Sequence, residues 1–323
     1  MQQETEILFE TPFEQDVYEG LTAEPKHLSS KYFYDKKGDK LFQDIMNMPE
    51  YYLTDAEYDV LDRHKKEISI LFSEHSSNFN LIELGAGDGK KTKLLLRHLS
   101  ENNIPFKYLP IDISQNALDQ LEKSLQHELP KVQVQKQQGT YFEVLADIAK
   151  MTDSKKVILF LGSNIGNLLH PQAISFLTSV QELMADDDLF FVGFDQKKNP
   201  QTILDAYNDQ TGITAAFNKN VLARINADLG GNFDLDNFLH WEVYDPESGT
   251  AKSYLVSKKE QQVRINQLDL DVAFRPWETI HTEISQKYDD QTVTWLAEQS
   301  GLEIKTQFTD SKKQYKNYVF KRK

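Results

Sequence analysis

NLIELGAGDGKKTKLLL, Asn80 to Leu96, decides the fold. Leu81, Ile82 and Leu84 form a short apolar run suited to a buried strand. Gly85, Ala86, Gly87, Asp88 and Gly89 follow, a composition that permits a tight turn and close backbone approach to a ligand. Lys90 to Leu99 then reads as a helix, with Leu94, Leu95 and Leu99 on its inner side. Strand, glycine turn and helix together place unpaired backbone N–H groups at the carboxyl end of a strand. Open α/β sheets bind small molecules there.

The glycine spacing narrows the ligand. A dinucleotide fingerprint needs G-x-G-x-x-G, and this chain has G-x-G-x-G. With Glu83 two residues before Gly85, the segment resembles motif I of class I S-adenosylmethionine (SAM) methyltransferases. The next strand, YLPIDIS from Tyr108 to Ser114, carries Asp112 near its end, where an acid can accept hydrogen bonds from both ribose hydroxyls.

Working outward, residues 1–30 are mixed and polar and read as an arm with little structure. Asp39 is placed to cap a helix carrying Leu41, Phe42, Ile45 and Met46, which Pro49 ends. Thr54 and Glu57 have capping-box spacing for a helix over Ala56–Phe72. From 61 to 194 the pattern alternates as βαβ units. A helix from Asn116 to His127 follows the Asp112 strand, and a weak strand runs from Val132 to Gln138. A helix then covers Phe142 to Ala149. VILFL, Val157 to Leu161, runs into GSNIGNL and a helix bearing Ile174, Phe176 and Leu177. LFFVGF, Leu189 to Phe194, is a further buried strand, after MADDD, Met184 to Asp188, read as a solvated loop. Five strands alternating with helices define an α/β doubly wound sheet.

The alternation breaks after 194. Gln201 to Leu229 reads as helix with few interruptions. SYLVS and QQVRI read as antiparallel partners around a turn at Lys258–Glu260. Thr292–Ser300 is helical, and LEIKTQFTD with YKNYVFKRK forms a terminal antiparallel pair. Residues 195–285 thus read as an insertion, after which the chain returns to the first sheet.

Composition excludes several functions. Lys+Arg 36 against Asp+Glu 50 gives 36 − 50 = −14. Such a surface repels phosphate backbones, which argues against a nucleic-acid substrate and for a small amino acid or metabolite. The absence of Cys rules out disulfides and thiolate chemistry, and fits a cytoplasmic protein. No secretory signal or membrane-length apolar run is present. The eight histidines have no metal-like spacing. Lys197 and Lys198 read as solvated charge.

Strand ends nominate the site. Besides the glycine turn and Asp112, Thr140 and Tyr141 after the third strand are placed to frame the adenine. Asn167 after the fourth either holds a substrate carboxylate or amine, or caps the following helix.

Several longer segments share one further resemblance. KYFYDKKGDKLFQDI, MPEYYLTDAEYDVL, ELGAGDGKKT, FLGSNIGNL, DAYNDQTGITAAFNKNVLARIN and HTEISQKY, in that order, resemble the histidine-specific Nα-methyltransferases of ergothioneine biosynthesis. The relatives of that group include tryptophan-derivative N-methyltransferases. The resemblance runs from about Pro25 to the C-terminus. It implies a SAM-binding domain of residues 61–194 and 286–323, and a smaller α+β substrate domain of residues 1–60 and 195–285, with an amino acid between them. It implies SAM contacts from Gly85, Gly87, Lys91 and Asp112, with Thr140 and Tyr141 by the adenine. Tyr34 would lie near the substrate amine. Asn167 and Tyr207 would hold its carboxylate, and Tyr51, Glu283 and Ser285 would line an imidazole pocket. As i, i+2 residues, Glu283 and Ser285 also fit a plain polar strand face.

Two positions depart from that pattern. Thr140 stands where an acid is expected, and Lys252 with Ser253 stands in place of a Glu-Met pair on the pocket strand. The implied activity is SAM-dependent methylation of an amino-acid α-amine, most simply histidine, to as far as the trimethyl betaine, by a monomer that uses no metal. Lys252 and Ser253 motivate the alternative of another amino acid or a tryptophan-like derivative. A SAM-binding regulator without catalysis is a further alternative, and so is an NAD-dependent oxidoreductase, which the glycine spacing disfavours.

Overall fold

Thr11 and Glu14 start the first helix by a reciprocal capping box, with Pro12 in its first turn. The computed structural model describes residues 9–76, 78–151 and 154–323. Helix α1 (Pro12–Thr22) buries Phe13, Val17 and Leu21, an i, i+4, i+8 stripe. Over Pro12–Thr22 the expected unstructured arm is therefore a packed helix, with T-x-x-E as its signal, and residues 1–8 of that arm lie outside the described residues. In α2 (Lys36–Met46) the cap is Asp35, which accepts from the N–H groups of Lys37 and Gly38; Asp39 lies inside the first turn. The cap sits one turn earlier than expected because Asp35 is the residue with extended backbone.

Helix α3 (Leu53–Ser73) has no side-chain cap, so Thr54 and Glu57 do not form the expected capping box. Strand β1 (Phe79–Leu84) is buried throughout and α4 (Thr92–Glu101) follows the glycine turn. Its buried leucines are Leu95, Leu96 and Leu99, with Leu94 half-buried. Then come β2 (Phe106–Asp112), α5 (Gln115–Glu128), β3 (Gln137–Gln138), α6 (Tyr141–Met151), β4 (Lys156–Phe160), α7 (His170–Glu182) and β5 (Leu189–Asp195).

The insertion begins with α8 (Pro200–Tyr207) and α9 (Ile213–Leu229), which Gly212 separates at φ +79°. It continues with β6 (Phe238–Asp245), β7 (Thr250–Ser257), β8 (Gln261–Ile265), β9 (Leu270–Phe274) and β10 (Thr279–Gln286). Helix α10 (Asp290–Gln299), β11 (Leu302–Thr309) and β12 (Tyr315–Arg322) close the chain. Among the described residues no helix is long and apolar enough to cross a membrane.

Two units partition these elements: Tyr52–Lys198 with Gln286–Lys323, and the chain through Tyr51 with Asn199–Ser285. The first holds a seven-stranded sheet in the order β11-β12-β5-β4-β1-β2-β3. Strands β1 to β5 run parallel, and β12 joins β5 antiparallel. The doubly wound sheet and the antiparallel return are as expected. The switch from β1–β2 on one side to β4 on the other puts the ligand crevice at the β1 glycine turn. One core layer joins Ile82, Ile158 and Phe190 to Phe176 and Leu177; the opposite layer joins Leu81, Val157 and Phe191 to Leu95 and Phe72.

The second unit holds a three-stranded sheet, β10-β7-β6, and a two-stranded one, β8-β9. SYLVS and QQVRI are therefore not partners. The Asp245–Gly249 turn decides otherwise: Asp245 carboxylate oxygens accept from the N–H groups of Glu247 and Ser248, and Gly249 takes φ +76°, so β7 folds back on β6. Asp269 in the left-handed region returns β9 onto β8.

Two charge assignments also change. Met184 and Asp188 of the MADDD loop are buried, Asp188 paired with Lys156 at 2.7 Å. Lys198 is nearly buried against Asp195 and donates to the Tyr52 hydroxyl at 2.8 Å; burial lowers its pKa to about 8.

Candidate active site

In the sheet unit, the β1 turn is built around backbone that side chains resist. Gly85 has φ +70°, and its N–H donates to the Ile111 carbonyl at 2.9 Å. A Cβ on Gly85 would stand 2.6 Å from the Tyr141 hydroxyl. Gly87, at φ +53°, has no heavy atom of the described residues within 4 Å of where its Cβ would be. The turn is thus closed on one side by Tyr141 and open at Gly87.

Asp112 is the last residue of β2; its Oδ1 accepts the Ser114 N–H at 2.9 Å, which aims the carboxylate across the strand end. Burial, and then the Asp112 charge, push the Tyr141 hydroxyl up to about 12. Gly85, Asp112 and Tyr141 are therefore drawn together. Thr140 differs: its hydroxyl donates to Glu143 at 2.5 Å.

Beneath the turn, Glu83 is fully buried and accepts from Thr92 Oγ1 at 2.5 Å and from the Tyr108 hydroxyl. Burial raises its pKa to about 7 against those two donors. Lys91 follows the turn, with Nζ 2.5 Å from Glu57. Asn167 ends a short 3₁₀ turn after β4 and is exposed. The residue preceding α7 is Leu169, so Asn167 does not cap that helix.

In the insertion unit, aromatic rings gather around Tyr34 and Tyr51. Tyr34 meets Phe42 and Phe217 edge-on at 5.6 and 5.4 Å. Tyr51 meets Phe42 at 6.4 Å and Tyr207 at 6.3 Å. The Tyr207 hydroxyl is 2.7 Å from Ser285 Oγ on β10, and Glu283 precedes Ser285 by two residues. Tyr34 is 45% exposed, yet the protein crowded around its hydroxyl, then Glu283 and Tyr207, raise it above the usual tyrosine value. Tyr34, Tyr51, Tyr207, Glu283 and Ser285 thus form one group. Ser253 faces the buried side of β7, where its hydroxyl donates to Glu242 at 2.6 Å.

Sequence reasoning missed Phe42 and Phe217 as ring neighbours of Tyr34, and gave Glu57 only a capping role. The available signal for Glu57 was an acid on an apolar helical face, with Val60, Leu61, Ile68 and Phe72. For Phe217 there was only its place in the TGITAAFNKNVL segment.

Among the described residues no grouping suits a metal ion. The sheet-unit residues fit SAM: an open glycine turn, a strand-end carboxylate for hydroxyls, and an ammonium for a carboxylate. Sheet order, turn and strand-end acid together define a class I SAM-dependent methyltransferase. The chain belongs to the histidine-specific, SAM-dependent methyltransferase family, whose model it matches over residues 13–322. It is 33% identical over 295 residues to a histidine N-alpha-methyltransferase of Mycolicibacterium smegmatis, covering 91% of this chain and 90% of that one. It is 30% identical to ergothioneine biosynthesis protein 1 of Schizosaccharomyces pombe, covering 90% of this chain and 38% of that one. It is 28% identical to an L-tryptophan methyltransferase of Psilocybe serbica, covering 93% and 90%.

Proposed function

We propose that this methyltransferase acts on the α-amine of L-histidine. The observation that carries the reading is the polar group Tyr207–Ser285 with Glu283 beside it, set among the Tyr34 and Tyr51 rings. Aromatic edges suit a flat imidazole, and a carboxylate accepts a ring N–H and favours the protonated ring. The names of the bacterial relatives support the same substrate.

SAM, when bound, supplies a methyl on a positively charged sulfur that is already an electrophile. The chain's own residues supply orientation and proton handling. Gly85, Gly87, Lys91 and Asp112 are assigned to SAM, with Tyr141 and Thr140 beside its adenine. Thr140 offers a hydroxyl already engaged with Glu143, in place of a charged acceptor. Asn167 and Tyr207 are assigned to the substrate carboxylate.

The amine must be neutral to react, and an α-amino group of pKa roughly 8 to 9 needs modest help to lose its proton. Tyr34 keeps its proton at neutral pH, as an ordinary tyrosine does, and Glu283 beside it raises it further. It therefore serves the amine as a neutral hydrogen-bond partner that fixes the nitrogen lone pair, and the proton leaves to water. A cysteine-free chain fits this chemistry in a reducing cytoplasm.

The test is calorimetric binding of histidine with and without S-adenosylhomocysteine, then mass spectrometry of a SAM reaction. Binding strengthened by the cofactor product and gains of one to three methyls support the reading. Ser253, paired with Glu242, favours adding tryptophan and tyrosine to the panel. A methylated amino acid other than histidine would overturn the substrate and keep the chemistry.

A further inference from the structure

Glu57 stands in the second turn of α3 with a completely buried side chain. A lone carboxylate is not stable there; it requires donors. Oε2 accepts from Lys91 Nζ at 2.5 Å and from the Gly162 N–H at 2.7 Å. Oε1 accepts from Asn317 Nδ2 at 2.9 Å. Gly193 leaves the room for it: a Cβ there would lie 2.4 Å from Oε1.

These partners have a common address. Lys91 ends the β1 turn and Gly162 follows β4, the strand that pairs with β1. Their ends flank the crevice in which an open sheet binds its ligand. A Cβ on Gly162 would stand 3.3 Å from Lys91 Nζ, so the ammonium lies directly over that glycine. Lys91 remains 22% exposed while Glu57 is wholly covered. The ammonium is held from behind, with N–H groups left to offer outward.

We propose that Glu57 is a positioning residue for the amino-acid end of SAM. It fixes Lys91 across the β1 and β4 strand ends, so that the ammonium meets the ligand's carboxylate without first being ordered. This rests on the assignment of Lys91 to SAM. Glu57→Gln keeps the shape, but its amide NH₂ faces donors where a carboxylate oxygen accepted, and Lys91 loses its charge partner.

The experiment compares two ligands by calorimetry: S-adenosylhomocysteine, and 5′-methylthioadenosine, which lacks the amino-acid end. Glu57→Gln is expected to weaken S-adenosylhomocysteine by about tenfold, the size of one charge-assisted hydrogen bond, and to leave methylthioadenosine within twofold. Lys91→Met is expected to do the same, and the double variant to be no worse than Lys91→Met alone. Equal loss for both ligands in Glu57→Gln would mean a purely structural role and overturn the inference. So would an unchanged S-adenosylhomocysteine affinity in Glu57→Gln beside a weakened Lys91→Met. An unchanged Lys91→Met would instead remove the Lys91 assignment itself. Should Glu57→Gln fail to fold, the wild-type protein carries the test. An ammonium anchored to a buried carboxylate exchanges slowly and gives a resolved lysine Nζ cross-peak in ligand-free protein, assigned by its loss in Lys91→Met. Its absence would overturn the inference.

Discussion

The hydroxyls of Tyr207 and Ser285 lie 2.7 Å apart, joining the end of α8 to β10 inside one unit. Both residues are buried. Tyr207→Phe removes one hydroxyl and keeps the ring that meets Tyr51. The expected result is histidine binding weakened about tenfold, the loss of one hydrogen bond to a charged group. S-adenosylhomocysteine affinity should hold, because its assigned residues lie on other elements. Folding stability should fall by about 1 kcal/mol. Calorimetry with each ligand and a urea melt check this; equal loss for both ligands would count against a substrate role.

Glu283 sits two residues before Ser285 and close enough to Tyr34 to raise its hydroxyl. If it accepts the imidazole N–H, it favours the charged ring, whose reference pKa is about 6.5. Histidine affinity in the presence of S-adenosylhomocysteine should then strengthen between pH 8 and pH 6. Glu283→Gln should flatten that gain and lower affinity at pH 6 by about tenfold. A variant with the wild-type pH profile would exclude the contact.

These two predictions use residues that a strand reading alone could not separate from a polar sheet face. The sheet was legible because its strands are continuous apolar runs, as in VILFL and LFFVGF, and because glycine and Asp112 fall at strand ends. The insertion was less legible. Whether SYLVS pairs with QQVRI or with the strand before it depends on a turn at Asp245–Gly249, and alternation is the same in either pairing. Glu57 was misread for a related reason. T-x-x-E is local, and here the donors Lys91, Gly162 and Asn317, distant in sequence, outweigh the local cap. That Asn167 does not cap α7 could be read only from Leu169 at the helix start.

Glu83 titrates in the physiological range. Its folded pKa is pushed up to about 7, chiefly by burial, from 4.5. Between those values the folded state binds more protons than the unfolded chain, so stability falls as pH rises. The favourable contribution is complete below about pH 4.5 and gone above about pH 7, with a span on the order of 3 kcal/mol at 1.36 per unit. Glu83→Gln resembles the protonated acid toward Thr92 and Tyr108. Its stability relative to wild type should therefore rise from pH 5 to pH 8 in urea melts. A difference independent of pH would mean that Glu83 is ionised throughout.

His240 imposes the opposite slope. Both of its ring nitrogens are buried, with no hydrogen-bond partner among the described residues, on the inner face of β6. Burial lowers its pKa to about 4 from 6.5; Asp209 opposes that shift and Lys219 adds to it. Here the unfolded chain binds more protons in the window, so stability is complete above about pH 6.5 and is lost progressively down to about pH 4. The span is again on the order of 3 kcal/mol. Between pH 4.5 and 6.5 Glu83 and His240 therefore nearly cancel, and the wild-type profile hides both. His240→Phe replaces two unpaired polar atoms with ring carbon at similar volume. It should be neutral or stabilising at pH 7 and should gain on wild type steadily as pH falls to 4. Melts of wild type, Glu83→Gln and His240→Phe at each pH separate the two slopes. If His240→Phe tracked wild type down to pH 4, the imidazole would have to be charged in the folded state, with an acceptor at one of its nitrogens.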